Sequence, residues 1–174
     1  MRDNYSRVSI YFQDESRFGL ITQNGKMLTS KGVKPICTFQ QSYKYKWLYG
    51  LFSAETGDHF MLEFPTCDSD CFQVFPDLFS QRRPNELLVT VLDNASFHKA
   101  QKLVVPSNVR MIFLPPYSPE LNPAEKIWQK FKRAFSNKLF DNIEQMDEFI
   151  SEMARSLDNI EVMNTCACSY IQRE

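Results

Sequence analysis

The chain has 174 residues, 43% hydrophobic and 14% aromatic, which suits one domain with a sizeable core and excludes a disordered chain. A formal net charge of −1 excludes a protein that grips nucleic acid by overall charge and leaves only local basic patches for that purpose. No apolar run reaches the roughly 18 residues of a membrane span, and the five cysteines, with no signal-peptide apolar region in MRDNYSRVSI, predict reduced thiols and a cytoplasmic setting.

Residues 7–13 alternate Val8, Ile10 and Phe12 and predict a strand. Residues 17–22 continue toward a hairpin at Asn24-Gly25, a strong turn dipeptide. Residues 26–40, with Gly32 and Pro35, predict an irregular hairpin or loop. KWLYGLFSAETGDHFMLEF predicts two strands, about 45–53 and 58–64, turning at Glu55–Asp58. A helix is expected from Asp68 or Ser69, kinked or shortened at Pro76. The run ELLVTVL, 86–92, suits a central strand covered on both faces. A short helix over 97–104 and a strand in VRMIFLP follow.

Asn122-Pro123-Ala124-Glu125 reads as a helix start with N-cap, N1 proline and N3 glutamate in place. That helix runs to about Lys138, with Ala124, Trp128, Phe131 and Phe135 on its core stripe. Ile143, Met146, Ile150, Met153 and Leu157 mark a last amphipathic helix, and the tail CACSYIQRE carries no signal. Strands first, then alternating strand and helix, then helices predict an α/β fold: a mixed sheet with helices on both faces, in a single domain over 1–174.

Three acids stand at element ends. Asp14 follows the first strand, Asp93 follows ELLVTVL, and Glu125 lies in the first turn of the helix begun at Asn122. Two-metal phosphodiester chemistry needs hard oxygen ligands for Mg²⁺ or Mn²⁺, with the ions about 4 Å apart to stabilise the attacking and leaving oxygens. Each acid also has a local explanation. Asp14 is a strand end at solvent, Asp93-Asn94 is a turn, and Glu125 is the reciprocal half of a capping box. Glu15 neighbours Asp14 but points to the opposite face of a strand.

The segments DES, LDNASFHKA and LPPYSPELNPAEKIW together resemble the transposases of the mariner superfamily, in its bacterial insertion-sequence branch, over roughly residues 7–157. The resemblance implies a ribonuclease-H-like catalytic domain whose metal-binding Asp-Asp-Glu triad is Asp14, Asp93 and Glu125, holding two Mg²⁺ or Mn²⁺ ions. Thirty-one residues lie between Asp93 and Glu125, slightly fewer than the family pattern, and a trimmed loop between Lys99 and Arg110 accounts for the difference. The implied reaction cuts double-stranded DNA at an element's end, leaves a 3′-hydroxyl, and joins it to target DNA at a TA dinucleotide. Relatives act as homodimers and carry N-terminal helix-turn-helix units. This chain begins almost at the first catalytic strand, so end recognition is expected from a separate DNA-binding domain or subunit.

Further candidates for DNA contact are Asn94, His98, Lys126, Lys130, Lys132 and Arg133. Each has a bland alternative as a turn, a hydrogen-bonded helix residue or a solvated helix face. Pro115, Pro116, Pro119 and Pro123 stiffen the loop before Glu125, which also offers Tyr117 and Ser118. Cys67 with Cys71, and Cys166 with Cys168, lack the spacing of structural zinc sites. Two other functions share this pattern: a ribonuclease-H-like nuclease acting on RNA–DNA hybrids, and a silent remnant that binds DNA as an accessory.

Overall fold

The computed structural model describes residues 5–167. Its strands are β1 (Arg7–Gly19), β2 (Tyr45–Phe52), β3 (His59–Phe64), β4 (Glu86–Leu92) and β5 (Val109–Phe113). Its α-helices are α1 (Ser69–Arg82), α2 (Ala124–Phe135), α3 (Ile143–Ser156) and α4 (Asn159–Cys166). The strands form one mixed sheet in the order β3-β2-β1-β4-β5. β1 pairs antiparallel with β2, which pairs antiparallel with β3, while β1, β4 and β5 run parallel.

Helices lie on both faces of the sheet, but the cover expected for β4 is complete only on the α1 side: on the α2 side Val8, Ile10 and Ile112 stay exposed and alternate residues of β4 are only partly buried. Tyr11, Tyr49, Leu51, Leu88 and Leu92 pack beneath Phe72, Phe75 and Phe79 of α1. Phe12, Phe18, Leu48 and Phe52 pack on the other face against Ile127, Trp128, Phe131 and Phe135 of α2, with α3 and α4 closing the layer through Met146, Ile150 and Val162. Each buried aromatic contributes about 1.5–3 kcal/mol of transfer free energy. That is why α1 runs through Pro76 unbroken: the Phe72, Phe75 and Phe79 contacts outweigh the hydrogen bond that proline removes.

Several elements differ from the sequence-based expectation. β1 does not end before Asp14. It continues to Gly19 because it changes partner, pairing with β4 over Arg7–Phe12 and with β2 over Phe12–Gly19. Asp14 is therefore a mid-strand residue opposite Gly50. No hairpin turn forms at Asn24-Gly25; the Gly25 N–H donates instead to Asn137 Oδ1 at 2.9 Å. The segment turns at Ser30–Val33, where Gly32 has φ +85° and Val33 N–H bonds Ser30 O. The expected 97–104 helix is one 3₁₀ turn, Ser96–Lys99. α2 stops at Phe135, and α4 is an additional helix beyond Leu157.

Among the described residues Cys37, Cys67, Cys71 and Cys166 are free thiols, while Cys168 and the rest of the tail lie outside them. No helix among the described residues is long and apolar enough to cross a membrane.

Gly50 sets how closely β2 and α2 approach beside Asp14. A Cβ there would lie 2.5 Å from Phe52 Cε2 and 2.8 Å from Trp128 Cζ2, both in packed aromatic rings. Gly50→Ala is expected to destabilise the fold by about 1–3 kcal/mol, read as a lower urea midpoint; an unchanged midpoint would mean the two rings can shift freely.

Candidate active site

The parallel pairing of β1 with β4 brings the first two acids together. Phe12 is in register with Val91, so two steps on, Asp14 comes level with Asp93 just past the end of β4. Asp14 shares its face of β1 with Phe12 and Phe18, which pack on α2. Glu125 stands in the first turn of that helix. All three carboxylates line one cleft of about 610 Å³, together with Asn94, Lys99, Asn122 and the Leu114–Pro119 loop.

Asn122 holds the start of α2 in place. It is 4% exposed; its Nδ2 donates to the Gln13 carbonyl at 2.8 Å and its Oδ1 accepts from Ala124 N–H at 3.1 Å. The predicted capping box is only half present. The Asn122 N–H already donates to Pro119 O at 2.9 Å, so Glu125 has no orphan donor to reach back to. Its carboxylate lines the cleft instead.

Asp93 is held through one oxygen. Oδ1 accepts from Ala95 N–H at 2.9 Å and lies 2.9 Å from His98 Nδ1. The second approach is a charge contact rather than an aligned hydrogen bond. Asp93 itself lines the cleft. His98 is 3% exposed and its Nε2 donates to Glu15 Oε1 at 2.9 Å. Gln13 Nε2 donates to the same oxygen at 2.7 Å. Glu15 thus points away from Asp14, as alternation along a strand requires, yet reaches Asp93 through His98. Sequence reasoning misses this role of Glu15 because the link spans 83 residues of chain.

The charges oppose one another. Burial first, then the charges of Glu125 and Glu15, lifts Asp14 from 3.8 to about 8. Burial and the Asp93 charge raise Glu125 as well. The His98 contact, against the cost of burial, holds Asp93 below the usual carboxylate range. Burial disfavours the His98 cation, but Asp93 and Glu15 prevail and raise it to about 9. Among the described residues no three acidic, histidine or cysteine side chains stand close enough together to hold one metal ion.

Of the other sequence-predicted contacts, Asn94 lines the cleft and its Nδ2 donates to Leu114 O, tying the ends of β4 and β5. His98 lies buried behind Asp93. Lys126, Lys130, Lys132 and Arg133 do not line the cleft. Lys126 donates to Ala167 O at 3.1 Å, and Lys130 pairs with Glu161 of α4. Lys132 donates to Arg17 O with its ammonium 4.0 Å from the centre of the Phe18 ring, and Arg133 is exposed. The cation that does line the cleft is Lys99, which follows His98 directly and carries no signal of its own in the sequence. Its ammonium sits 4.8 Å from the centre of the Phe113 ring. Tyr117, on the rim, is fully exposed in left-handed backbone with φ 56°.

A family model described as "DDE superfamily endonuclease" matches residues 9–147. The chain is 32% identical over 104 residues to "Uncharacterized protein y4pE/y4sA" of Sinorhizobium fredii (strain NBRC 101917 / NGR234), over 59% of this chain and 77% of that one. Its fold is similar to the Mos1 transposase paired-end complex with left transposon end and to the Mos1 mariner paired end complex with Mn. Each has TM-score 0.69 and 18% identity, covering 91% of this chain and 51% of the other. The Mos1 strand transfer complex matches with TM-score 0.66 at 17% identity. The chain spans about half the length of these solved structures. The likeness establishes the ribonuclease-H-like mixed sheet expected from the sequence.

The raised Asp14 carboxyl has a consequence for stability. The folded protein keeps a proton that the unfolded chain releases near 3.8, so metal-free stability falls as pH rises from about 4 to about 8 and levels off above. In chelating buffer, the stability of Asp14→Asn relative to the parent should therefore be lowest near pH 4 and rise until about pH 8. Urea denaturation across that range measures it; a constant difference would show that Asp14 titrates normally.

Proposed function

The chain belongs to the DDE superfamily endonucleases, and from that premise we propose that it is a transposase catalytic domain that cuts and joins DNA strands by metal-assisted phosphoryl transfer, with Asp14, Asp93 and Glu125 as its metal-binding triad. The observation that carries this reading is the convergence of three carboxylates, from mid-β1, the end of β4 and the start of α2, on one cleft.

The donor set suits a hard divalent cation. The cleft offers carboxylate oxygens and no thiol or imidazole, and burial, joined by repulsion from Glu125 and Glu15, holds a proton on Asp14 near neutral pH. Positive charge relieves that repulsion. Mg²⁺ or Mn²⁺ ions, two in this reading, would supply charge neutralisation at the phosphoryl group and a more acidic attacking water. The remaining work falls to the chain. Asp14 and Glu125 provide ligand oxygens from a strand and a helix, whose backbones leave little freedom to stray. Asp93 offers its carboxylate while His98 and Ala95 N–H hold Oδ1, so His98 acts as a positioning residue behind the ligand. Lys99 and Asn94 stand where a phosphodiester would enter.

In this reading water attacks phosphorus and breaks the P–O3′ bond at an element's end, leaving a 3′-hydroxyl. That hydroxyl attacks a target phosphodiester at a TA dinucleotide, and the target's P–O3′ bond breaks to release a target 3′-hydroxyl. The substrate is double-stranded DNA, and a homodimer joins two ends. End recognition comes from a separate DNA-binding part. The net charge of −1 supports that division, since affinity for duplex DNA rests on phosphate neutralisation.

Nicking of labelled DNA duplexes with Mg²⁺ or Mn²⁺ tests the reading. Asp93→Ala should lose at least about two orders of magnitude in rate, the scale of several kcal/mol of metal-held charge stabilisation, while keeping its fold by circular dichroism. Undiminished metal-dependent nicking by that variant would overturn the triad, and cleavage confined to RNA–DNA hybrids would reassign the substrate.

A further inference from the structure

Between β1 and β2 the chain leaves the domain as an arm, residues 21–44, with four lysines and no aspartate or glutamate. A chain of net −1 therefore carries +4 in this segment and −5 elsewhere. Residues 26–39 are exposed throughout, with Leu28 104% and Ile36 95% accessible. Three lysines elsewhere pair with carboxylates, Lys46 with Glu63, Lys102 with Asp70 and Lys130 with Glu161, and Lys99, Lys132 and Lys138 lie over aromatic rings. Among the described residues no carboxylate pairs with a lysine of the arm.

The arm is anchored at its base and open at its tip. Leu20 N–H bonds Lys44 O and Thr22 N–H bonds Gln40 O, so the two limbs leave side by side. Asn137 N–H bonds Gln23 O, and Gln40 Nε2 donates to Phe140 O at 2.9 Å. These contacts fix the base just beyond the C-terminal end of α2. The tip turns at Ser30–Val33 around Gly32, which has nothing within 4 Å of its Cβ position. Exposed basic and apolar side chains on a tethered two-limbed ribbon fit a nucleic-acid groove, where lysines meet phosphates and apolar side chains press against bases.

We propose that this arm is a DNA-binding ribbon in which Lys26, Lys31 and Lys34 neutralise phosphates of the duplex that is cut in the cleft. The inference rests on the transposase reading. Glu125 stands at the other end of α2, and a helix of that length spans about 18 Å, less than one turn of duplex at about 34 Å. One DNA molecule can therefore touch both the arm and the cleft. The arm also answers a difficulty the site creates: a cleft lined by three acids repels a polyanion, and a separate tethered positive element draws it in.

The test compares the full chain with a Lys26→Gln, Lys31→Gln, Lys34→Gln variant on a short labelled DNA duplex over a salt series. Every lysine that neutralises a phosphate adds about 0.9 to the slope of log affinity against log salt, so replacing all three should lower that slope by about 2 to 3. The metal-dependent nicking rate at saturating DNA and the thermal midpoint should be unchanged, because none of the three lines the cleft or the core. An unchanged slope in the folded variant overturns the proposal. An unchanged slope with loss of a dimer in sedimentation assigns the arm to a second copy of the chain. If neither protein binds DNA, the arm's role is overturned, while the transposase reading, which takes end recognition from a separate part, is decided by the nicking assay; equal binding and equal cutting by both overturn the arm alone.

Discussion

The buried hydrogen bond from Asn122 to the Gln13 carbonyl is the constraint on which the site depends. It fastens the start of α2 to the middle of β1, one residue before Asp14. The same side chain caps Ala124 N–H, and three residues on from Asn122 the helix presents Glu125. Without that tie, the position of Glu125 would rest on the packing of Ile127, Trp128 and Phe131 further along α2. An amide is suited to the position because it donates to the strand and accepts from the helix at once.

The electrostatics run against local stability. Three carboxylates share a cleft whose lining holds one lysine, and a fourth, Glu15, is buried behind them. His98 offsets part of this by standing between Glu15 and Asp93. The residue that gains least is Asp14, whose raised pKa records the unrelieved burial and repulsion. Carboxylates with pKa values perturbed in this way concentrate at functional sites.

Local pattern makes much of the fold legible. The apolar run of β4 and the helical spacing of Trp128, Phe131 and Phe135 report how each segment meets its neighbours; the alternation of Val8, Ile10 and Phe12 marks a strand but not its buried side, since Val8 and Ile10 are exposed while Ser9 and Tyr11 are buried. The three acids are legible as a set through their motifs. What escapes is set by distant partners. β1 is long because it pairs with β4 and then β2, which no local window contains. Glu15 joins the site through His98 across the sheet. Lys130 faces α4, a helix that the amphipathic pattern ending at Leu157 does not foretell. The Asn24-Gly25 turn fails because Asn137, far along the chain, takes the Gly25 N–H.

Asp14, Asp93 and Glu125 are proposed to act as one divalent-cation site. Crystals soaked in Mn²⁺ and measured at the manganese edge test it directly. The account predicts anomalous density coordinated by carboxylate oxygens of all three residues, with Asp93 still held at Oδ1 by His98. Manganese absent from the cleft, or bound without Asp14 and Glu125, would contradict it.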